Sequence, residues 1–149
     1  RLAHGLSPLS LEGQNLKETI ADFLEEQTGL HPRIRFRAVH LRSTKDVDPD
    51  SATQLYFIAR EAVINAIKHS EATDISVRVL GDKDRVKLKV ADNGVGSPDS
   101  LSATNSEGLG LRFMQYRARI LGGTITIDTG LDEKGVSIVC EAPRKPNPE

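Results

Sequence analysis

Four short stretches of alternating apolar and polar residues fall in two close pairs, and this spacing constrains the fold more than any other feature of the chain. Ile75, Val77 and Val79 alternate with other neighbours, as do Val86, Leu88 and Val90, and only Gly-Asp-Lys-Asp at 81–84 separates the two runs. Stretches at 124–129 and 136–142 repeat the arrangement around GLDEKG. Connections this short make each pair an antiparallel hairpin. Alternation buries one face of each strand, so the hairpins need a second layer to cover them.

Helical spacing supplies that layer. From Asn15 to Thr28, the side chains of Leu16, Ile20, Phe23 and Leu24 share one face, with Gly29 as the expected stop. A single strand follows, in which Ile34, Phe36 and Ala38 alternate with Arg33, Arg35 and Arg37. Residues 40–46 read as a polar connection. Asp48 as N-cap and Pro49 in the first turn open the longest helix. Leu55, Ile58, Ala59, Ala62, Val63 and Ala66 recur along it at three- and four-residue spacing, down to His69. A third amphipathic helix opens at Gly108-Leu109-Gly110-Leu111, buries Leu111, Met114, Ala118 and Leu121, and ends at Gly122-Gly123. The expected class is α+β: a two-layer α/β sandwich whose mixed, mostly antiparallel sheet carries its helices on one face. Four Phe, two Tyr and no Trp leave the core to aliphatic side chains.

The domain proper is expected over 14–143. Residues 1–13 form a lead-in punctuated by Gly, Pro and Ser, and 144–149 a polar, Pro-rich, disordered tail. A net charge of -1 gives no basic field for nucleic acid. The single cysteine, Cys140, excludes an internal disulfide and fits a reducing, cytoplasmic compartment. It shares a strand face with Val136 and Ile138, as a small buried hydrophobe does. No apolar run approaches the roughly 20 residues of a membrane span, so this domain is not expected in the membrane. The chain opens on Arg1, which points to a piece of something longer.

Three elements carry chemistry. On a wheel of about 100 degrees per residue, Asn65 and Lys68 lie within about 40 degrees of Glu61, and the apolar stripe centres roughly 140 degrees away. His69 stands beside them at the helix end. This face reads either as ordinary solvated surface or as a metal and phosphate site. In the second reading Asn65 supplies a hard carbonyl oxygen suited to Mg²⁺, Glu61 polarises a hydroxyl, imidazole or water, and Lys68 and His69 face phosphate. The second element is Asp92-x-Gly94-x-Gly96 at a strand end. Asn-Gly is a common hairpin dipeptide, but no alternating strand follows it here. Glycines let main chain approach a flat ligand, and Asp92 accepts from an exocyclic amine, which adenine has at that edge and guanine lacks. The third is Gly108-x-Gly110-Leu111 before a helix, either a plain loop-to-helix junction or an anion seat of free N–H groups. No Lys-Ser or Lys-Thr follows, so it is not a Walker loop, and Phe113 stands where a dinucleotide fingerprint needs glycine.

In order and spacing, Glu61-x-x-x-Asn65, Asp92-x-Gly94-x-Gly96, a polar loop and Gly108-x-Gly110 resemble the N and glycine boxes of the GHKL (Bergerat-type) ATPase superfamily. REAVINAIKHSEAT and GLGLRFMQYRARILGG look most like sensor histidine kinases of the nitrate-sensor type, and GVSIVCEAP, with Gly135 and Ser137, is similar to their closing strand. The resemblance covers residues 5–143. It implies that Asn65 ligates Mg²⁺ and Glu61 assists phosphotransfer, with Lys68 and His69 near the phosphates. It further implies that Asp92 binds the adenine amine, with Gly94, Gly96 and the Ser137 hydroxyl close to the ring. Residues 97–107 would be the ATP lid, and Gly108, Leu109, Gly110 and Leu111 its phosphate-side anchor.

Family members also carry a phosphoacceptor histidine on a dimerising helix. No His-Asp acceptor pair occurs here. His4 resembles the end of the second dimerisation helix, and His31 and His40 lie in connecting segments. The implied partners are therefore the dimerisation and phosphoacceptor helices of a parent protein and the receiver domain of a response regulator. An anti-sigma-type serine kinase and a non-catalytic nucleotide-binding module are the alternatives. A clamp ATPase would need a second domain for which there is no room.

Overall fold

The computed structural model describes residues 15–41, 47–97 and 108–144. Helix α1 is Leu16–Leu30, strand β1 Arg35–Leu41, helix α2 Pro49–His69, β2 Asp74–Gly81, β3 Arg85–Asp92, α3 Gly108–Ile120, β4 Thr124–Thr129 and β5 Val136–Pro143. The five strands form one sheet in the order β1-β2-β3-β5-β4. β1 and β2 run parallel because α2 crosses between them; every other pairing is antiparallel. This is the expected α+β sandwich. The lead-in through residue 14, the tail from residue 145 and all but Ser97 of the expected lid lie outside the described residues.

Local chemistry explains the helix ends. Asn15 caps α1 by accepting from the Glu18 N–H at 2.9 Å, and Glu18 returns the contact, a capping box. The helix does not stop at Gly29. It continues to Leu30, with His31 as C-cap, because Gly29 keeps ordinary helical backbone while Pro32 bars further turns. Asp48 caps α2, its Oδ2 accepting from the N–H groups of Asp50 (3.1 Å) and Ser51 (3.2 Å). Likewise, β1 runs on to Leu41, so His40 belongs to a strand and not to the connection.

The helices and the inward strand residues share one core. Leu55, Ile58 and Val63 of α2, Ile75 and Val77 of β2 and Cys140 of β5 have no exposed surface. α3 docks on α2 through Arg117, whose guanidinium lies 4.7 Å from the Phe57 ring centre and donates to Gln54 Oε1 at 2.9 Å. No described helix is long and apolar enough to cross a membrane.

Candidate functional site

Burial of its apolar stripe orients α2 and leaves Glu61 and Asn65 half-buried on the opposite flank. Lys68 and His69, in the last turn, are exposed. The side chains of Glu61 and Asn65 make no hydrogen bond or ion pair with a described residue. They meet instead the first turn of α3. A Cβ built on Gly110 would stand 2.6 Å from Glu61 Oε2 and 2.9 Å from Asn65 Nδ2. A larger residue there would push the ends of both side chains aside. Gly108, Leu109 and Gly110 form a helix start whose N–H groups have no intrahelical acceptors, beside a carboxylate and an amide. Leu111 packs against the core and holds the turn in place.

Asp92 ends β3 with 6% of its surface exposed. Its Oδ1 accepts from the N–H of Gly94 at 2.8 Å and from that of Val136 at 3.4 Å. Burial raises the carboxyl above its ordinary value, and the two N–H groups oppose that rise only in part. The hairpin joining β4 to β5 closes around it. A Cβ on Gly135 would fall 2.2 Å from Asp92 Oδ1, and one on Gly130 would fall 2.1 Å from the Asp92 carbonyl oxygen. Gly135 also has φ +68, a conformation that suits glycine.

The glycines after Asp92 differ in what they face. Gly94 lies against the C-cap of α2: an added Cβ would be 2.2 Å from the Ser70 carbonyl oxygen and 2.4 Å from Ser70 Cβ. The next N–H, that of Val95, donates to the same carbonyl at 2.7 Å. Gly96 has ordinary space, with Val136 Cγ2 at 3.7 Å from an added Cβ. The loop after Asp92 is thus fastened to the end of α2, the helix that carries Glu61 and Asn65.

Ser137 stands apart from this group. It pairs with Ala91 across β3 and β5, so alternation turns it to the face away from Asp92. Its hydroxyl donates to the Thr129 carbonyl at 3.0 Å, and the residue is fully buried. The β5 residue beside Asp92 is Val136. The contributions of Ser70, Gly130 and Val136 were missed in the sequence. The only available signal was the pair of glycines bracketing the hairpin turn.

The donor set has a definite bias. Among the described residues, no three His, Cys, Asp or Glu side chains group so as to hold a metal by themselves. One amide oxygen on a half-buried flank suits a hard cation that takes its other ligands from phosphate and water, as Mg²⁺ does.

A family model for "Histidine kinase-, DNA gyrase B-, and HSP90-like ATPase" matches residues 50–146. The signal transduction histidine-protein kinase/phosphatase DegS of Bacillus subtilis is 34% identical over 126 residues, which are 82% of this chain and 32% of DegS. The sensor histidine kinase ComP of the same organism is 31% identical over 126 residues, 85% of this chain and 16% of ComP. The chain therefore spans less than a third of the length of either relative. The crystal structure of the ATP binding domain of PrrB from Mycobacterium tuberculosis shares the fold, with a TM-score of 0.71 at 20% identity over 91% of this chain and 96% of that one. Sequence match and architecture agree, and the chain belongs to the histidine kinase-, DNA gyrase B- and HSP90-like ATPase family.

Proposed function

We propose that residues 14–143 are the ATP-binding catalytic domain of a two-component sensor histidine kinase, and that they hold Mg-ATP for attack by a histidine outside this chain. The observation that carries this reading is the seat of Gly110 on Glu61 and Asn65. It joins a helix N-terminus, which favours phosphate, to an amide and a carboxylate suited to a cation and a reacting proton. Asn65 would ligate Mg²⁺, which would neutralise charge on the phosphates. Glu61 would polarise the attacking imidazole, and Lys68 and His69, free to swing in solvent, would approach the phosphate oxygens. Asp92 would accept from the adenine amine. Catalysis of this kind is positioning and charge neutralisation, with little covalent work for the protein. The phosphoryl group would then pass to an aspartate of a response regulator receiver domain. Residues 1–13 would be the end of the dimerisation region, and the domain would act in the cytoplasm.

Calorimetric titration with Mg-ATP and Mg-GTP tests the binding half. Tighter binding of Mg-ATP is expected, and equal affinities would contradict the role of Asp92. Incubation with radiolabelled ATP and a separate phosphoacceptor helix pair tests the chemistry. The label should be acid-labile, as phosphohistidine is. Acid-stable label would indicate a serine kinase, and binding without any transfer would indicate a nucleotide-binding module.

A further inference from the structure

Asn93, between Asp92 and Gly94, has every hydrogen-bonding position of its amide in use. Its Oδ1 accepts from the N–H groups of Thr73 at 2.9 Å and Asp74 at 3.0 Å. Its Nδ2 donates to Thr73 Oγ1 at 2.9 Å and to Asp74 Oδ2 at 3.3 Å. Its own N–H donates to the Asp74 carbonyl at 3.2 Å. All these partners lie in the chain that leaves α2 and enters β2. With Val95 bonded to Ser70 and Gly94 packed on it, residues 93–95 are laced to 70–74.

The two sides of this lacing are not equally secure. α2 is fixed by its own fully buried apolar stripe, so Glu61 and Asn65 keep their places without Asn93. The loop is different. Asp92 is the last residue of the β3 ladder, and beyond it the main chain has left the sheet. Loss of the amide contacts would therefore move the base side and spare the phosphate side.

We propose that Asn93 is a positioning residue for base selection: it holds the Asp92 loop at a set distance from the helix carrying Glu61 and Asn65. It acts through Asp92 and touches no ligand itself. The proposal rests on the Mg-ATP reading above. A shift of a few tenths of an ångström weakens a carboxylate–amine hydrogen bond and relaxes the rejection of guanine, while triphosphate binding continues.

The test compares the parent domain with Asn93→Ala and Thr73→Val. The second variant removes one acceptor of the amide without altering residues 92–96. Affinities for Mg-ATP, Mg-GTP and Mg-tripolyphosphate are measured calorimetrically, beside thermal melts. The parent is expected to favour ATP. Asn93→Ala should lower the ATP-to-GTP affinity ratio by about tenfold or more and leave tripolyphosphate binding unchanged. Thr73→Val should move the ratio in the same direction by a smaller step. A lower melting temperature with an intact ratio, or a parallel loss of tripolyphosphate binding, would overturn the proposal. Should Asn93→Ala fail to fold, an unchanged ratio in Thr73→Val would overturn it alone. A parent without preference for ATP defeats the underlying reading and the proposal together. A parent that prefers ATP, with variants that keep the preference, defeats only the positioning role.

Discussion

Gly110→Ala separates the stability of this domain from its binding. The substitution sits in the first turn of α3, with no left-handed backbone to strain. Alanine is the better helix former by about 0.8–1 kcal/mol in a helix interior, and by less near an end. The folded domain should therefore melt at the parent temperature or slightly above it. The added Cβ, however, stands 2.6 Å from Glu61 Oε2 and 2.9 Å from Asn65 Nδ2, where ordinary contact begins near 3.4 Å. Both atoms are the ends of flexible, half-buried side chains. They yield by roughly 0.5–0.8 Å, turning toward solvent at little cost to folding, but away from where a cation and the phosphates must be met. Misplacement on the order of 1 Å costs up to about 100-fold in a positioned reaction. The expected loss of Mg-ATP affinity is about 10- to 100-fold, or roughly 1.4–2.7 kcal/mol. Calorimetry for affinity and calorimetric melting of the unliganded domain measure the two halves separately. Mg-ATP affinity within about twofold of the parent, in a variant that melts normally, would refute the placing of Glu61 and Asn65 at the phosphates.

Three further outcomes follow from the same geometry. The Asp92 carboxyl is raised from its ordinary value of 3.8, so the folded state binds this proton more readily than the unfolded one. Its stabilising contribution is complete below 3.8 and is lost as pH rises through the folded value. Asp92→Asn should consequently raise the melting temperature of the unliganded domain at neutral pH while removing its preference for ATP over GTP. A lower melting temperature would show that the ionised carboxylate stabilises the fold. Gly94→Ala drives a Cβ into the Ser70 backbone, which cannot swing aside as a side-chain end does, and should destabilise the domain by about 1–3 kcal/mol in urea unfolding. The buried Cys140 thiol, pushed up to about 12, should react with iodoacetamide at pH 8 only as fast as the domain opens. Labelling as rapid as that of a free thiol would place Cys140 outside the core.

The elements were readable because each rests on a local pattern: alternation for the hairpins, three- and four-residue spacing for the helices, and Asp48-Pro49 for the start of α2. What escaped was set by neighbours distant in sequence. Gly29 looks like a stop, but Pro32 decides where α1 ends. His40 is polar, yet it lies inside β1, at the irregularity between Val39 and Leu41, which both pair with β2. The side on which Ser137 stands depends on register with β3, and one residue of shift in a strand exchanges its faces. In that register Val136, not Ser137, meets Asp92. The glycines at 94, 130 and 135 carry no mark of their partners in the sequence, because what they face, Ser70 for the first and Asp92 for the other two, is brought in by tertiary pairing.

The pairing of β3 with β5 has a consequence for how the domain is made. β2 with β3, and β4 with β5, are hairpins whose partners are close in sequence, and such contacts form within microseconds. Joining β3 to β5 closes a loop that contains the whole of α3, so it is the slower, non-local event. Only that closure brings Val136 and Gly135 against Asp92. On the reading proposed for Asp92, a chain with both hairpins formed but not yet joined would lack the base side of its site. Nucleotide is thus a ligand of the finished sheet alone, and its presence should slow unfolding without hastening the early steps of folding.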